Sequence, residues 1–209
     1  MFITFEGLDF CGKSTQVQLL ENYLLEKGEQ VNIIREPGGT VISEKIRNIL
    51  LDKKNTEMLI ETELILFAAS RAQLVGEVIL PALAKNIFVM SDRFHDSSIA
   101  YQAFGRGIKL EFVDELQNFV IGKAIPDLTF FIDISIDEML KRKGNFKQVE
   151  LDRIERSKID FYEKVREGYL FLSERENRFR TINGQLSIEE IHKTIVEEVG
   201  KISGRNWNK

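Results

Sequence analysis

Phe2-Ile3-Thr4-Phe5-Glu6-Gly7-Leu8-Asp9-Phe10-Cys11-Gly12-Lys13-Ser14-Thr15 is the stretch on which the fold of this chain turns. Phe2 to Glu6 is an apolar run of strand length. Gly7 to Ser14 fits the pattern G-x-x-x-x-G-K-[ST], and Val17, Leu20 and Leu24 then fall on one side of a helix that Gly28 is placed to stop. Strand, loop and helix in that order are the context in which the pattern binds phosphate. The glycines let successive backbone N–H groups turn inward, and the helix adds its positive N-terminal end. Lys13 is expected at the β- and γ-phosphates of ATP, and the Ser14 hydroxyl at a Mg2+ ion bridging them. The plainer alternative, a Gly-Lys-Ser turn that merely joins strand to helix, is disfavoured because pattern and flanks agree. Cys11 has no visible His partner inside the loop and reads as a small filler residue rather than a nucleophile.

Working outward, four further apolar runs read as strands: Val31 to Arg35, Ile87 to Ser91, Leu128 to Ile134 and Arg178 to Ile182. Such runs suit strands covered on both faces. Long helices are expected over Glu57 to Ala84, with Pro81 placed to bend or end it, and over Leu110 to Ile121. Ser135 with Glu138, and Ser187 with Glu190, have capping-box spacing ahead of further helices. Strands alternating with helices imply a parallel sheet with right-handed crossovers and ligands beyond the carboxyl ends of the strands. No repeat or linker-like tract divides the 209 residues, so one α/β domain over 1–209 is expected.

Hydrophobic residues make up 43% and charged residues 30%, a globular balance with no compositional case for disorder. A net charge of -4 gives no electrostatic footprint for duplex nucleic acid, so phosphate is to be held by a shaped pocket. Cys11 is the only cysteine, which rules out an intrachain disulfide. The N-terminus lacks a basic start and a long apolar run, and no stretch reads as membrane-span length. The expectation is a cytoplasmic protein with no membrane or nucleic-acid partner.

A P-loop leaves the acceptor open: water in a hydrolase, or a second substrate in a kinase. Arg35-Glu36-Pro37-Gly38-Gly39-Thr40 follows the second strand and Ser91-Asp92-Arg93-Phe94 ends the third, both where ligands of such sheets collect. With Phe5-Glu6-Gly7-Leu8-Asp9, these segments resemble the thymidylate kinase family. The likeness continues through Phe67 to Arg71, Ser98 to Gln102, Gly105-Arg106-Gly107, Pro126-Asp127-Leu128 and Asp152-Arg153-Ile154-Glu155, nearly the whole chain.

The resemblance implies a P-loop nucleoside monophosphate kinase fold with a five-stranded parallel sheet, a homodimer, and transfer of the γ-phosphate of ATP to dTMP with Mg2+. ATP-binding residues are expected over Gly7, Leu8, Asp9, Phe10, Cys11, Gly12, Lys13, Ser14 and Thr15. Arg35 and Arg93 would grip the dTMP phosphate, which two arginines can do in bidentate geometry. A surface ion pair is the plainer alternative for both. The resemblance has Asp9 accept a hydrogen bond from the sugar 3′-hydroxyl and Asp92 orient Mg2+ through water. Phe67 would stack on thymine and Arg71 bond its O4, with Ser98 near N3, Tyr101 against the sugar where a 2′-hydroxyl would protrude, and Gln102 in the same dTMP-binding set. An aromatic at helical spacing is ordinarily core; the resemblance is what turns Phe67 toward a ligand.

Some family members place an arginine in the P-loop where this chain has Phe10, and members without it supply positive charge from a lid. The candidates here are Lys141, Arg142, Lys143, Lys147 and Arg153, within a lid of about 141–153. Arg142 is the first expectation, as a catalytic and ATP-binding cation. The segment from Gly144 to Val149 looks longer than the usual bacterial lid. Taken alone, the basic run from Leu140 to Lys147 would be a solvated helix end. Two other functions are weighed: a kinase for another nucleoside monophosphate or a deoxynucleoside, and a nucleotide-switched binding module. A guanine-switched module should carry Asn-Lys-x-Asp after a late strand, and the sequence has none.

Overall fold

The computed structural model describes residues 1–145, 152–154 and 158–204. Its five strands are β1 (Phe2–Glu6), β2 (Val31–Arg35), β3 (Phe88–Asp92), β4 (Leu128–Asp133) and β5 (Phe179–Asn183), all parallel in the order β2-β3-β1-β4-β5. The first strand in sequence is thus central in space. Phe5 and Arg35 both pair with Asp92, so the ends of β1, β2 and β3 share one edge.

Both faces of the sheet are covered, which is why its strands are apolar on both sides. Ile3, Phe5, Phe130 and Ile132 join a large cluster with Leu20 and Leu24 on one face, while Phe2, Val89 and Ile34 pack with Leu74, Ile79 and Phe94 on the other, where Tyr169 also stacks on Phe131. Fully burying side chains such as Phe5 and Phe130 contributes about 1.5–3 kcal/mol each.

Helix α1 (Lys13–Glu26) starts directly from the P-loop, and Gly28, at φ 79, follows its end. Helix α2 (Val41–Leu51) begins at Thr40, whose side chain accepts from the Ser43 backbone N–H. The expected long helix starts three residues late, as α3 (Ile60–Leu74), passes through a π-helical stretch at Val75–Ile79 and ends as α4 (Leu80–Ala84). Pro81 does not end it: proline has no N–H to offer the i−4 carbonyl, and the wider π stretch directly precedes the turn that holds it. By length and composition Ile60–Ala84 could cross a membrane, which corrects the expectation that no stretch approaches that size. Its charged Glu63 and Arg71 are ion-paired inside the protein.

After β3 come α5 (His95–Ser98), a second π-helical stretch (Ile99–Gly105) and α6 (Leu110–Ile121). Helix α7 is Ile136–Asn145, α8 Ile159–Arg175 and α9 Ile188–Ser203. Ser187 and Glu190 form the full capping box. Ser135 caps Glu138 N–H, but the Glu138 side chain turns instead to Arg142 and Lys141. Lys147, Glu155 and the segment from 146 to 149 lie outside the described residues.

Candidate active site

Gly7 takes φ 140, and a Cβ there would stand 2.5 Å from the Ile132 carbonyl oxygen, so only glycine lets the loop leave β1 this close to β4. Gly12, at φ 102, turns the chain into α1, whose first turn carries no acidic residue. The positive end of the helix is therefore left for an anion. Lys13 Nζ donates to the carbonyls of Gly7 (3.1 Å) and Leu8 (2.7 Å), which holds the ammonium across the loop. Ser14 Oγ donates to Asp92 Oδ2 at 2.6 Å, joining the P-loop to the end of β3.

The loop opens onto a cavity of about 370 Å3. Asp9, Phe10, Lys13 and Ser14 line it from the loop, and Arg35, Asp92 and Arg93 from the strand ends. Phe67, Arg71, Ser98, Tyr101 and Gln102 line it from the helices beyond. Every residue expected in dTMP binding thus meets the P-loop in one cavity. Gly7, Leu8, Cys11, Gly12 and Thr15 are not among its lining residues, and neither is Arg142. Among the described residues no three metal-ligating side chains gather.

Arg93 adopts a left-handed backbone at φ 69. Its Nη2 meets Asp9 Oδ1 at 2.6 Å, its Nη1 donates to Gly7 O (2.9 Å) and Tyr169 Oη (3.0 Å), and its guanidinium carbon lies 4.9 Å from the Tyr101 ring centroid. Burial opposes its charge, yet the neighbouring Tyr101, Tyr169, Asp9 and Glu6 hold its pKa well above the ordinary value. Asp92 therefore faces Ser14, and the partner of Arg93 is Asp9. Tyr101 Oη is buried with no hydrogen-bond partner among the described residues.

Arg71, 1% exposed, spends all five of its donors inside the protein. Nε and Nη2 go to Glu36, Nη2 also to Phe94 O (3.1 Å), and Nη1 to Ser98 Oγ (2.9 Å) and Gln117 Oε1. Burial raises the Glu36 carboxyl above its usual range, and Arg71 opposes that. Arg35 is open by contrast, with a side chain 61% exposed and Glu44 at 3.8 Å.

On the lid side, Arg142 Nε meets Glu138 Oε1 at 2.7 Å, Nη2 donates to Gly184 O (2.8 Å) and Nη1 to Cys11 O (3.3 Å). It rests on the outside of the P-loop. Arg153 is held elsewhere: Nη2 meets Glu63 Oε2 at 2.6 Å and Nε donates to Leu50 O. Glu63, 1% exposed, also accepts from Arg106 and Gln102. Burial works against its charge, but these donors bring its pKa below the ordinary value. Lys141 is exposed beside Glu138 at 3.6 Å.

Sequence reasoning passed over Glu6, Glu36, Arg47, Glu63, Ser97 and Tyr169. Glu36 belongs to the Arg35–Thr40 segment, but nothing local says that a carboxylate will neutralise an arginine 35 positions on. Arg47 lines the cavity and donates to Pro37 O at 2.7 Å. Burial and the nearby charge of Arg35 lower its pKa.

A central first strand, a parallel sheet and a P-loop that shares one cavity with several arginines define a kinase that phosphorylates a nucleoside monophosphate. The thymidylate kinase family model matches residues 5–195. The thymidylate kinase of Kosmotoga olearia is 48% identical over 199 residues, covering 95% of this chain and 94% of the relative. That of Chlorobium luteolum is 47% identical, covering 96% and 97%. The crystal structure of thymidylate kinase from Ehrlichia chaffeensis superimposes with a TM-score of 0.77 at 35% identity, covering 95% of this chain and 97% of that one. The chain belongs to the thymidylate kinase family.

Proposed function

We propose that the protein transfers the γ-phosphoryl of ATP to dTMP, giving ADP and dTDP, by direct in-line transfer with no covalent enzyme intermediate. The observation that carries this is the single cavity in which P-loop, paired arginines and an aromatic pocket meet. In this reading Gly7 to Thr15 hold the ATP phosphates, with Lys13 on the β- and γ-phosphates. Arg35 and Arg93 hold the acceptor phosphate and offset its repulsion from the donor. Asp9, already joined to Arg93, takes the sugar 3′-hydroxyl. Phe67 stacks on the base, Arg71 and Ser98 read its edge, Gln102 completes that pocket, and the Tyr101 ring excludes a 2′-hydroxyl. Arg142, at the carbonyls of the P-loop, is the cation that a closing lid brings to the phosphates.

Ser14 Oγ and Asp92 Oδ2, hard oxygen donors 2.6 Å apart on the cavity wall, fit a Mg2+ ion that Ser14 would ligate and Asp92 would orient through water. When bound, the ion neutralises charge on the migrating phosphoryl. Two copies are expected to pair through helices packed face to face. Phe112 and Phe119 on α6, 51% and 86% exposed, supply apolar surface for that. A cytoplasmic location fits the single buried Cys11.

Parallel assays with dTMP, dUMP, dCMP, AMP and thymidine decide the acceptor. Strongest turnover is expected on dTMP, and a better rate on any other would overturn the assignment. Phe67→Ala should raise KM for dTMP roughly tenfold or more by removing the stacking surface.

A further inference from the structure

One buried acid beside the site has no part in the proposed transfer. Glu6, fully buried at the end of β1, accepts hydrogen bonds from the Phe94 backbone N–H (2.7 Å), the Ser97 hydroxyl (2.6 Å) and the Tyr169 hydroxyl (2.8 Å). The same two hydroxyl oxygens lie 3.4 and 3.0 Å from Nη1 of Arg93. A hydroxyl carries one proton. Once it is given to Glu6, Ser97 and Tyr169 can offer only lone pairs to the guanidinium.

Two consequences follow for Arg93. Its Nη1 is fully occupied by Gly7 O and these oxygens, whereas Nε–H and one Nη2–H have no partner among the described residues. The Nε/Nη2 edge is the one that fits two oxygens of a phosphate. The left-handed backbone of Arg93, costly for a residue with a side chain, is also secured next door, where Glu6 holds Phe94 N–H. Ser91 Oγ fixes the Arg93 carbonyl at 2.5 Å and Phe5 O its N–H at 3.0 Å.

We infer that Glu6 is a positioning residue for the acceptor phosphate: it touches no substrate, but it orients the Ser97 and Tyr169 hydroxyls and pins Phe94 so that Arg93 presents its Nε/Nη2 edge to the anion. The inference rests on the proposed role of Arg93 as the acceptor-phosphate clamp.

Glu6→Gln keeps the size of the side chain but replaces an acceptor by an amide donor, so one hydroxyl must turn its proton against Arg93. Measured at about pH 8 and above, where the Glu6 carboxyl is ionised, KM for dTMP should rise roughly ten- to hundredfold, the range expected for losing a hydrogen bond to a charged group, while KM for ATP stays within about twofold. Tyr169→Phe should act in the same direction but less. Added to Glu6→Gln it should cost less than it does alone, because both act through one network. An unchanged KM for dTMP in a folded Glu6→Gln protein overturns the inference, as does an equal rise for both substrates. Should Glu6→Gln fail to fold, the double variant Ser97→Ala/Tyr169→Phe removes the same oxygens and leaves the acid. An unchanged dTMP KM there overturns the inference too. Arg93→Met separates the two levels. If it leaves KM for dTMP alone, the clamp itself is wrong; if it raises KM and Glu6→Gln does not, only the role of Glu6 falls.

Discussion

Two of the three arginines proposed for the acceptor side, Arg71 and Arg93, and the arginine at the root of the lid are held in opposite ways. Arg71 and Arg93 are 1% and 16% exposed in their side chains and paired with carboxylates at Glu36 and Asp9. Arg142 is 26% exposed, leans on a surface carboxylate at Glu138, and otherwise rests on backbone carbonyls of the P-loop and Gly184. A desolvated charge cannot leave its partner without a large penalty, whereas a half-exposed guanidinium on neutral carbonyls can exchange them for phosphate oxygens. Arg71 and Arg93 are therefore set in place in advance, Arg35 is not, and in the proposed reading the donor side is completed by movement of Arg142. Arg153 crosses this division: it belongs to the lid in sequence but is fixed like an acceptor-side arginine by Glu63.

Four measurements can break or sharpen the contrast. Lys13→Ala should lower kcat by about a thousandfold or more, since it removes the P-loop cation from the migrating charge. Near-normal turnover would take the loop out of the mechanism. Arg71→Leu strands the Glu36 carboxylate in the core and should cost about 3–5 kcal/mol of stability in urea unfolding. A loss no larger than that of an ordinary surface substitution would mean that this region is not rigidly built. Arg142→Ala should leave the urea midpoint near that of the parent while kcat drops roughly ten- to hundredfold, and a fall in stability without one in kcat would reverse its assignment.

The smallest effect lies in pH. Burial, aided by the charge of Asp96, raises Glu6 from 4.5 to about 7. The stability tied to its protonated form is full below pH 4.5 and is lost as pH rises to about 7. Burial also lowers His95 from 6.5 to about 4, so its contribution is full above 6.5 and is lost as pH falls to about 4. The two oppose each other between 4.5 and 6.5. Glu6→Gln removes only the first, so the variant should gain stability relative to the parent as pH rises from 4.5 to about 7. Urea midpoints across that range test it, and a difference that does not vary with pH contradicts the raised pKa.

Much of the fold was legible because the signals were local. β1, β2 and the helix over Leu110 to Ile121 matched to the residue, and the other strands to within one or two. The π-helical stretches were invisible because a period of 3.6 residues cannot register a wider turn. At the site, the phosphate loop was readable from spacing, and the residues that line the cavity with it were expected from likeness to a family. The buried carboxylates were not: the hydrogen-bond partners of Glu6, Glu36 and Glu63 lie between 35 and 163 positions away. A lone Glu in an apolar strand gives no sign of which hydroxyls will find it.

The saturation of Arg71 bears on selectivity. A base edge that calls on this guanidinium must displace Ser98 or Gln117 from it, so the transaction is an exchange of one hydrogen bond for another and its net yield is small. A base with a donor where a carbonyl oxygen is wanted displaces the old partner and supplies nothing, leaving a buried N–H unmet. In its proposed role at the base edge, Arg71 would then do little to hold the right nucleotide and much to reject the wrong one.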